Sequence, residues 1–470
     1  MTKFDYQAVT ATVIDELAAL IGPDNVSASE ADRNLRASDV SSHPAHPSDV
    51  VVWPQTAEQV AQLLSLANRK KIPVTPWGAG TSVEGNPIPI LGGILLSTER
   101  MQAILQIHAD DMQATVQPGL KYRALNQQLQ PLGLFFPPDP GGDATIGGML
   151  ANNAAGPKTV KYGASKDNIL RLQVALADGR LLQVGSRSLK QSSGYDLVHL
   201  FVGSEGTLGV ITEATVKLAP TPKFMSAVVA SFPNVDDAVK TVVTIRTGGL
   251  EPAALEFIDA ATAKMLNQAG DVYLDERPTL FMEFHAAHQD ILSIGLQAVR
   301  QICEINQAAS FRATTDPEER VKLWYARHNA YTIAVKAHPN TQFLVLDAAV
   351  PISNYPAIVA QVQQSLAKYQ LTGFLLGHAG DGNMHVLIPY RDAETFERGQ
   401  RFNEALVLRA IELDGTATGE HGVGIGKIGY MRREHGPAFE VMRSLKQLLD
   451  PNNILNPGKI FAPEEQNMDR

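Results

Sequence analysis

A single cysteine, Cys303, stands among 470 residues, so the chain cannot close an internal disulfide, ligate an iron–sulfur cluster through its own thiolates, or carry a dithiol redox pair. Long basic runs are absent and the formal net charge is −9, which argues against nucleic acid or an anionic membrane as the main partner. The opening Met-Thr-Lys-Phe-Asp runs into an acidic amphipathic pattern with no long apolar segment and no Arg-rich transit pattern. The expectation is a cytoplasmic enzyme, with peripheral attachment at the inner membrane face as the alternative. No internal repeat, coiled-coil heptad or low-complexity tract is visible.

What remains is ordinary globular material: 44 % hydrophobic and 19 % charged residues, with length for two or three domains. Residues 5–20 read as a helix with apolar positions Val9, Val13, Leu17 and Leu20. Thr56-Ala57-Glu58-Gln59 fits a capping box opening a second helix, whose inner face is Val60, Leu63, Leu64 and Ala67. A short strand over 72–75 leads into a glycine loop, Pro76-Trp77-Gly78-Ala79-Gly80-Thr81-Ser82-Val83-Glu84-Gly85-Asn86. A dinucleotide fingerprint needs a helix directly after such a loop, and Pro87 and Pro89 forbid it. A Rossmann domain is therefore disfavoured, and a nest of successive backbone N–H groups is the anion site that remains.

Two further loops are dense in small residues. One runs from Phe136-Pro137-Pro138-Asp139-Pro140 through Thr145 and Gly148 to Asn152 and Gly156; the other is Gly203-Ser204-Glu205-Gly206-Thr207-Leu208-Gly209, ending in a strand that contains Ile211. Residues this small let backbone press against a flat ligand, although glycine-rich turns of no function remain the plain alternative. Ala219-Pro220-Thr221-Pro222-Lys223 is the clearest linker, and the alternating helices and strands beyond it suit an α+β domain.

Gly377-His378-Ala379-Gly380-Asp381-Gly382-Asn383-Met384-His385 lies between apolar stretches and reads as a hairpin whose turn His378 and His385 flank. Taken singly, either imidazole would pass for a surface or satisfied core histidine. Thr418-Gly419-Glu420-His421-Gly422 adds a second cluster, and two imidazoles with one carboxylate form a common ligand set for a catalytic Zn or Mn ion with open positions. Adjacent side chains generally diverge, so Glu420 is assigned to the metal with His378 and His385, and His421 is kept out of the coordination. A nearby dication would keep such an uncoordinated imidazole neutral and able to accept a proton.

These loops, the hairpin, the Glu420-His421 pair and the terminal Asn456-Pro457-Gly458-Lys459 resemble, in order from about residue 49 to 460, the flavin-dependent D-2-hydroxyacid dehydrogenases. That group includes cytochrome-linked D-lactate dehydrogenase and the glycolate oxidase FAD subunit, on the vanillyl-alcohol oxidase / p-cresol methylhydroxylase fold. The resemblance implies an α+β chain with a two-subdomain FAD-binding domain at 1–223, a substrate domain carrying the metal at 224–450, and a segment 451–470 returning to the FAD domain. It implies FAD held by Pro76, Gly78, Ala79, Gly80, Thr81, Ser82, Gly85 and Asn86 at the pyrophosphate, by Pro138, Asp139, Thr145, Gly148, Asn152 and Gly156 near the isoalloxazine and ribityl chain, and by Glu205, Gly209 and Ile211 towards the adenosine, with Asn456. Relatives that attach FAD covalently often have a His where Thr81 stands, so dissociable FAD is expected.

The resemblance further implies a divalent metal (Zn, Mn or Fe) that polarises the substrate 2-hydroxyl. Arg327 would grip the carboxylate through a planar bidentate fork and His421 would be the general base. D-lactate oxidation to pyruvate is the leading expectation. Relatives acting on D-2-hydroxyglutarate carry a Lys where alignment through Asp347 and Pro351 puts Val345, and a small hydroxyl residue where Tyr331 stands. The alternatives are a glycolate oxidase subunit, which would need an iron–sulfur partner, a D-2-hydroxyglutarate dehydrogenase, and a metal-dependent lyase or hydrolase. The expected partners are a small 2-hydroxy acid, a second copy of the chain, and a cytochrome, quinone or electron-transfer flavoprotein as electron acceptor.

Overall fold

A computed structural model of the chain describes residues 5–268 and 273–462; the first four residues of the opening Met-Thr-Lys-Phe-Asp lie outside these. The chain divides into two compact units, one of residues 1–155, 164–221 and 420–470, the other of residues 156–163 and 222–419. The break at Thr221/Pro222 falls in the expected linker. The C-terminal return starts at Glu420 instead of 451, so Glu420, His421 and the helices Met431–His435 and Ala438–Leu449 belong to the first unit. One anchor of this return is Lys446, buried and donating to the Thr207 carbonyl (2.8 Å) and the Asp450 carboxylate (2.6 Å).

The first unit holds two larger sheets and a two-stranded pair, Leu134–Phe135 with Ala219–Pro220. In the four-stranded sheet, Val50–Val52 and Val74–Trp77 run parallel to Ile94–Ser97 between them, and Val26–Ser27 pairs antiparallel at the edge. The five-stranded sheet is antiparallel, in the order Ile104–His108, Gln113–Val116, Val210–Lys217, Ile169–Ala175, Leu181–Gly185. Helix Ala57–Lys70 buries Val60, Leu63, Leu64 and Ala67, as its periodicity predicts. Thr56 caps it by accepting from the Gln59 amide, but the Gln59 side chain bonds back to the Gln55 amide (2.7 Å), so only half of the capping box forms as written. The N-terminal helix is Ala11–Ile21, beginning later than its apolar pattern because the Thr10 side chain caps it. No helix stands between Val74–Trp77 and Ile94–Ser97, as the two prolines require.

The second unit is built on a seven-stranded sheet, antiparallel throughout, in the order Ser310–Thr314, Phe224–Ser231, Thr279–Ala286, Ala254–Ile258, Phe374–Gly377, Asn383–Tyr390, Gln342–Ala349. Period-two alternation sends side chains to two cores. On one face Leu255, Phe257, Leu375, Met384 and Val386 pack with helices Val235–Thr247, Gln289–Ile305, Tyr355–Lys368 and Ala393–Glu412. On the other face Ala254, Ile258, Phe374, Leu376, Phe343 and Leu387 pack with helices Ala260–Asn267, Pro317–His328 and Ala330–Ala337.

Candidate functional site

In the first unit the three small-residue loops line an open cleft. The first loop leaves strand Val74–Trp77 and lies on the first turn of helix Ile146–Asn152, whose cap is the Thr145 side chain accepting from the Gly148 amide (3.3 Å). A Cβ on Gly78 would stand 2.5 Å from Thr145 Oγ1, so this approach is open only to glycine. Among the described residues, the amides of Gly78 through Ser82 donate to no protein acceptor. Five successive N–H groups on the wall of a cleft suit a polyanionic ligand.

Pro76, Gly78, Ala79, Gly80, Thr81, Ser82, Asn86, Thr145, Gly148, Asn152, Glu205, Gly209, Ile211 and Asn456 all line this cleft. Four expected residues do not. The Gly85 amide donates to Asp39 (2.8 Å), Asp139 accepts from the Tyr122 hydroxyl (2.9 Å), and Gly156 belongs to the second unit. Pro138 is passed over for Pro140, Gly142 and Ala144 further along the same loop. The wall also includes Thr98 and Pro118, which sequence reasoning missed because nothing in their local pattern marks them, and Trp77 within the first loop itself.

Glu205 lines the cleft, yet its carboxylate is engaged by the protein. It accepts from the amides of Val423 (2.6 Å) and Gly424 (2.9 Å) and from Asn86 Nδ2 (2.6 Å), and Asn456 Nδ2 donates to its carbonyl (2.8 Å). Burial pushes this carboxyl above its ordinary pKa, against the opposite pull of those donors. Glu205 thus ties the first loop and the C-terminal return together, rather than presenting its carboxylate to an adenosine. The return it holds carries Glu420 and His421, which stand in the same cleft wall. His421 Nε2 lies 3.9 Å from Glu420 Oε1, so the two neighbours do not diverge as strand geometry would have them; the backbone here is a bend. Asn152 Nδ2 donates to the His421 carbonyl (3.4 Å).

The second unit carries the hairpin as expected, with Phe374–Gly377 pairing antiparallel to Asn383–Tyr390. His378 and His385 face each other at 5.2 Å between ring centroids, nearly perpendicular at 84°. Each imidazole has a carboxylate behind Nδ1. Glu256 Oε1 and Oε2 lie 2.8 and 2.9 Å from His378 Nδ1, and Asp347 Oδ1 lies 3.5 Å from His385 Nδ1. Asp347 is fixed in turn by Asn383 Nδ2 (2.6 Å), the Thr418 hydroxyl (2.8 Å) and the Gly419 amide (2.7 Å).

Arg327, in helix Pro317–His328, is 6 % exposed and ion-paired through Nη2 to the same Glu256, whose side chain is fully buried. Burial pushes the Glu256 carboxyl up, but Arg327 and His378 outweigh it and hold the group below its ordinary pKa. Among the described residues, Arg327 Nε has no hydrogen-bond partner. Glu319, on the same helix as Arg327, pairs with Arg312. Sequence reasoning missed Glu256 and gave Asp347 no role. The signal was there: each is a lone carboxylate in an apolar strand, Ala254-Leu255-Glu256-Phe257-Ile258 and Phe343-Leu344-Val345-Leu346-Asp347.

An α+β chain with an amide-lined cleft among three glycine loops and a histidine in its wall has the makings of a cofactor-dependent oxidoreductase. The matches to known proteins agree. Residues 221–460 match the C-terminal domain model of the FAD linked oxidases, and residues 47–185 match an FAD binding domain model. A probable mitochondrial D-lactate dehydrogenase from Danio rerio is 38 % identical over 98 % of this chain and 94 % of its own length. A glycolate oxidase subunit GlcD from Bacillus subtilis is 34 % identical over 97 % of this chain and 98 % of its own. In structure, p-cresol methylhydroxylase superposes with a TM-score of 0.79 at 18 % identity, covering 97 % of each chain, which shows the fold alone. The chain belongs to the FAD-linked oxidase family and is an enzyme of it. The cleft fits FAD: consecutive unused amides suit a pyrophosphate, and walls of glycine and alanine suit a flat ring system. No described helix is long and apolar enough to cross a membrane.

Proposed function

We propose that this enzyme oxidises a short D-2-hydroxy monocarboxylate, D-lactate before D-2-hydroxybutyrate or glycolate. The observation that carries the reading is Arg327, a buried guanidinium with Nε unused by the protein, in a chain whose relative is named a D-lactate dehydrogenase. Buried guanidinium with spare donors is suited to a carboxylate. Bound FAD would supply the acceptor for the two electrons leaving the substrate carbon. Arg327 would orient the carboxylate, and His421, in the wall of the FAD cleft, would take the hydroxyl proton.

His378 and His385, with Glu420 as third ligand, would hold a divalent cation. The carboxylates at both Nδ1 atoms support this, because ligating histidines commonly back onto a carboxylate and turn Nε2 to the metal. The metal would lower the pKa of the hydroxyl that His421 deprotonates.

Two apolar side chains support the choice of a monocarboxylate. Val345 projects from the same sheet face as Asp347, two residues along, and both it and Tyr331 pack against the core of that face. A second substrate carboxylate buried against them without a cation would cost several kcal/mol. A glycolate oxidase subunit is the second reading, favoured by the near full-length match to the Bacillus subtilis protein.

The decisive experiment is anaerobic flavin bleaching by D-lactate in the native protein, after exhaustive chelation, and after the metal is restored. Loss and recovery of bleaching with FAD still bound is the expected result. Bleaching that is equally fast without metal removes the cation from the proposal, and a colourless native protein removes FAD.

A further inference from the structure

We infer that Glu256 is a positioning residue that sets the Arg327 guanidinium and the His378 imidazole together, coupling the carboxylate grip to the metal site through one buried carboxylate. The inference rests on the function proposed above. Register puts Glu256 in place: Phe257 pairs with Gly377 and Ile258 with Leu376, so the next step along the two chains sets Glu256 against His378. Its neighbours on the same face, Ala254 and Ile258, belong to the core beneath helix Pro317–His328, which brings Arg327 to it. Both carboxylate oxygens lie within 2.9 Å of His378 Nδ1, and Oε2 also meets Arg327 Nη2.

Such a carboxylate does two things. It accepts the Nδ1 proton, which leaves the lone pair of His378 on Nε2, the atom that would face a cation. It also takes one edge of the guanidinium and fixes the direction of the remaining donors. A plain structural reading, in which Glu256 only neutralises a buried arginine, accounts for the ion pair but not for the imidazole held by both oxygens.

The test uses the FAD-loaded enzyme with Zn²⁺ as the probe, its affinity measured by chelator competition, in wild type, Glu256→Gln, His378→Ala and the double variant Glu256→Gln/Arg327→Met. A glutamine amide satisfies His378 less well, and removal of an outer-shell carboxylate typically costs about 10–100-fold in metal affinity. Glu256→Gln is therefore expected to bind Zn²⁺ about 10–100-fold more weakly and to raise KM for D-lactate several-fold, with FAD stoichiometry unchanged. The double variant removes the charge left unpaired by the single one, and is expected to keep the same Zn²⁺ defect. Recovery of wild-type Zn²⁺ affinity in the double variant would assign the defect to the stranded guanidinium and overturn the inference. An unchanged KM in Glu256→Gln would overturn the coupling to Arg327. If His378→Ala leaves Zn²⁺ binding intact, the metal reading itself fails; if His378→Ala weakens it and Glu256→Gln does not, only the positioning role fails. Should Glu256→Gln not fold, the double variant carries the Zn²⁺ comparison.

Discussion

Glu205→Gln tests how the return segment is held in the cleft wall. Glu205 adopts φ +52°, a left-handed conformation that costs a non-glycine residue roughly 1 kcal/mol, and its three carboxylate hydrogen bonds hold it there. Oε1 takes the Val423 amide; Oε2 takes both the Gly424 amide and Asn86 Nδ2. Glutamine can keep one oxygen, but its NH₂ must then face at least one donor. A buried donor left without an acceptor costs about 1–3 kcal/mol, and water from the cleft can replace part of it, so the net loss is about 1–2 kcal/mol. The loss falls on the turn directly after His421, where Gly424 has φ +48° and a Cβ would meet the Glu84 carbonyl at 2.1 Å, leaving that turn no other way to pack. Thermal unfolding at saturating FAD should show a Tm lower by several degrees, and flavin reduction at saturating D-lactate should slow. Unchanged Tm and unchanged rate in a variant verified by mass would refute the role given to Glu205.

Three further outcomes are expected. His421→Ala should slow flavin reduction by a factor of about 10²–10⁴ with little change in substrate affinity, whereas Arg327→Lys should mainly raise KM; the reverse pattern in rapid kinetics would reassign His421 to positioning. With Thr81 exposed on the first loop, acid precipitation should release FAD into the supernatant, and flavin pelleting with the protein would contradict dissociable binding. Burial lowers the Lys459 ammonium from 10.5 to about 7, partly countered by Glu205 and Asp39, so between those pH values the folded chain has released a proton that the unfolded chain keeps. The contribution of Lys459 to stability should therefore grow as pH rises through that window, and denaturant titrations of Lys459→Met should lack this rise relative to wild type.

The parts of this enzyme legible in its sequence are those set by local chemistry. The hairpin followed from apolar, turn and apolar segments around His378 and His385, and the linker from the prolines beside Thr221. The glycine loops announced a cleft because so many small residues have no use in a plain core. Helix Ile146–Asn152 was not legible, since Gly147 and Gly148 have poor helix propensity and packing overrides it; the Thr145 cap was its one local trace. The return at Glu420 was hidden because Glu205 holds it across more than two hundred residues of chain. Glu256 and Asp347 were readable as carboxylates in apolar strands, but which histidine each serves is a matter of sheet register.

The central claim, oxidation of a D-2-hydroxy monocarboxylate, is tested most directly by anaerobic stopped-flow reduction of the bound flavin with D-lactate, L-lactate, glycolate and D-2-hydroxyglutarate at matched concentrations. Fastest reduction by D-lactate, slow reduction by its enantiomer and little by the dicarboxylate is the predicted order. Fastest reduction by D-2-hydroxyglutarate would contradict the roles given to Val345 and Tyr331, and the substrate assignment with them.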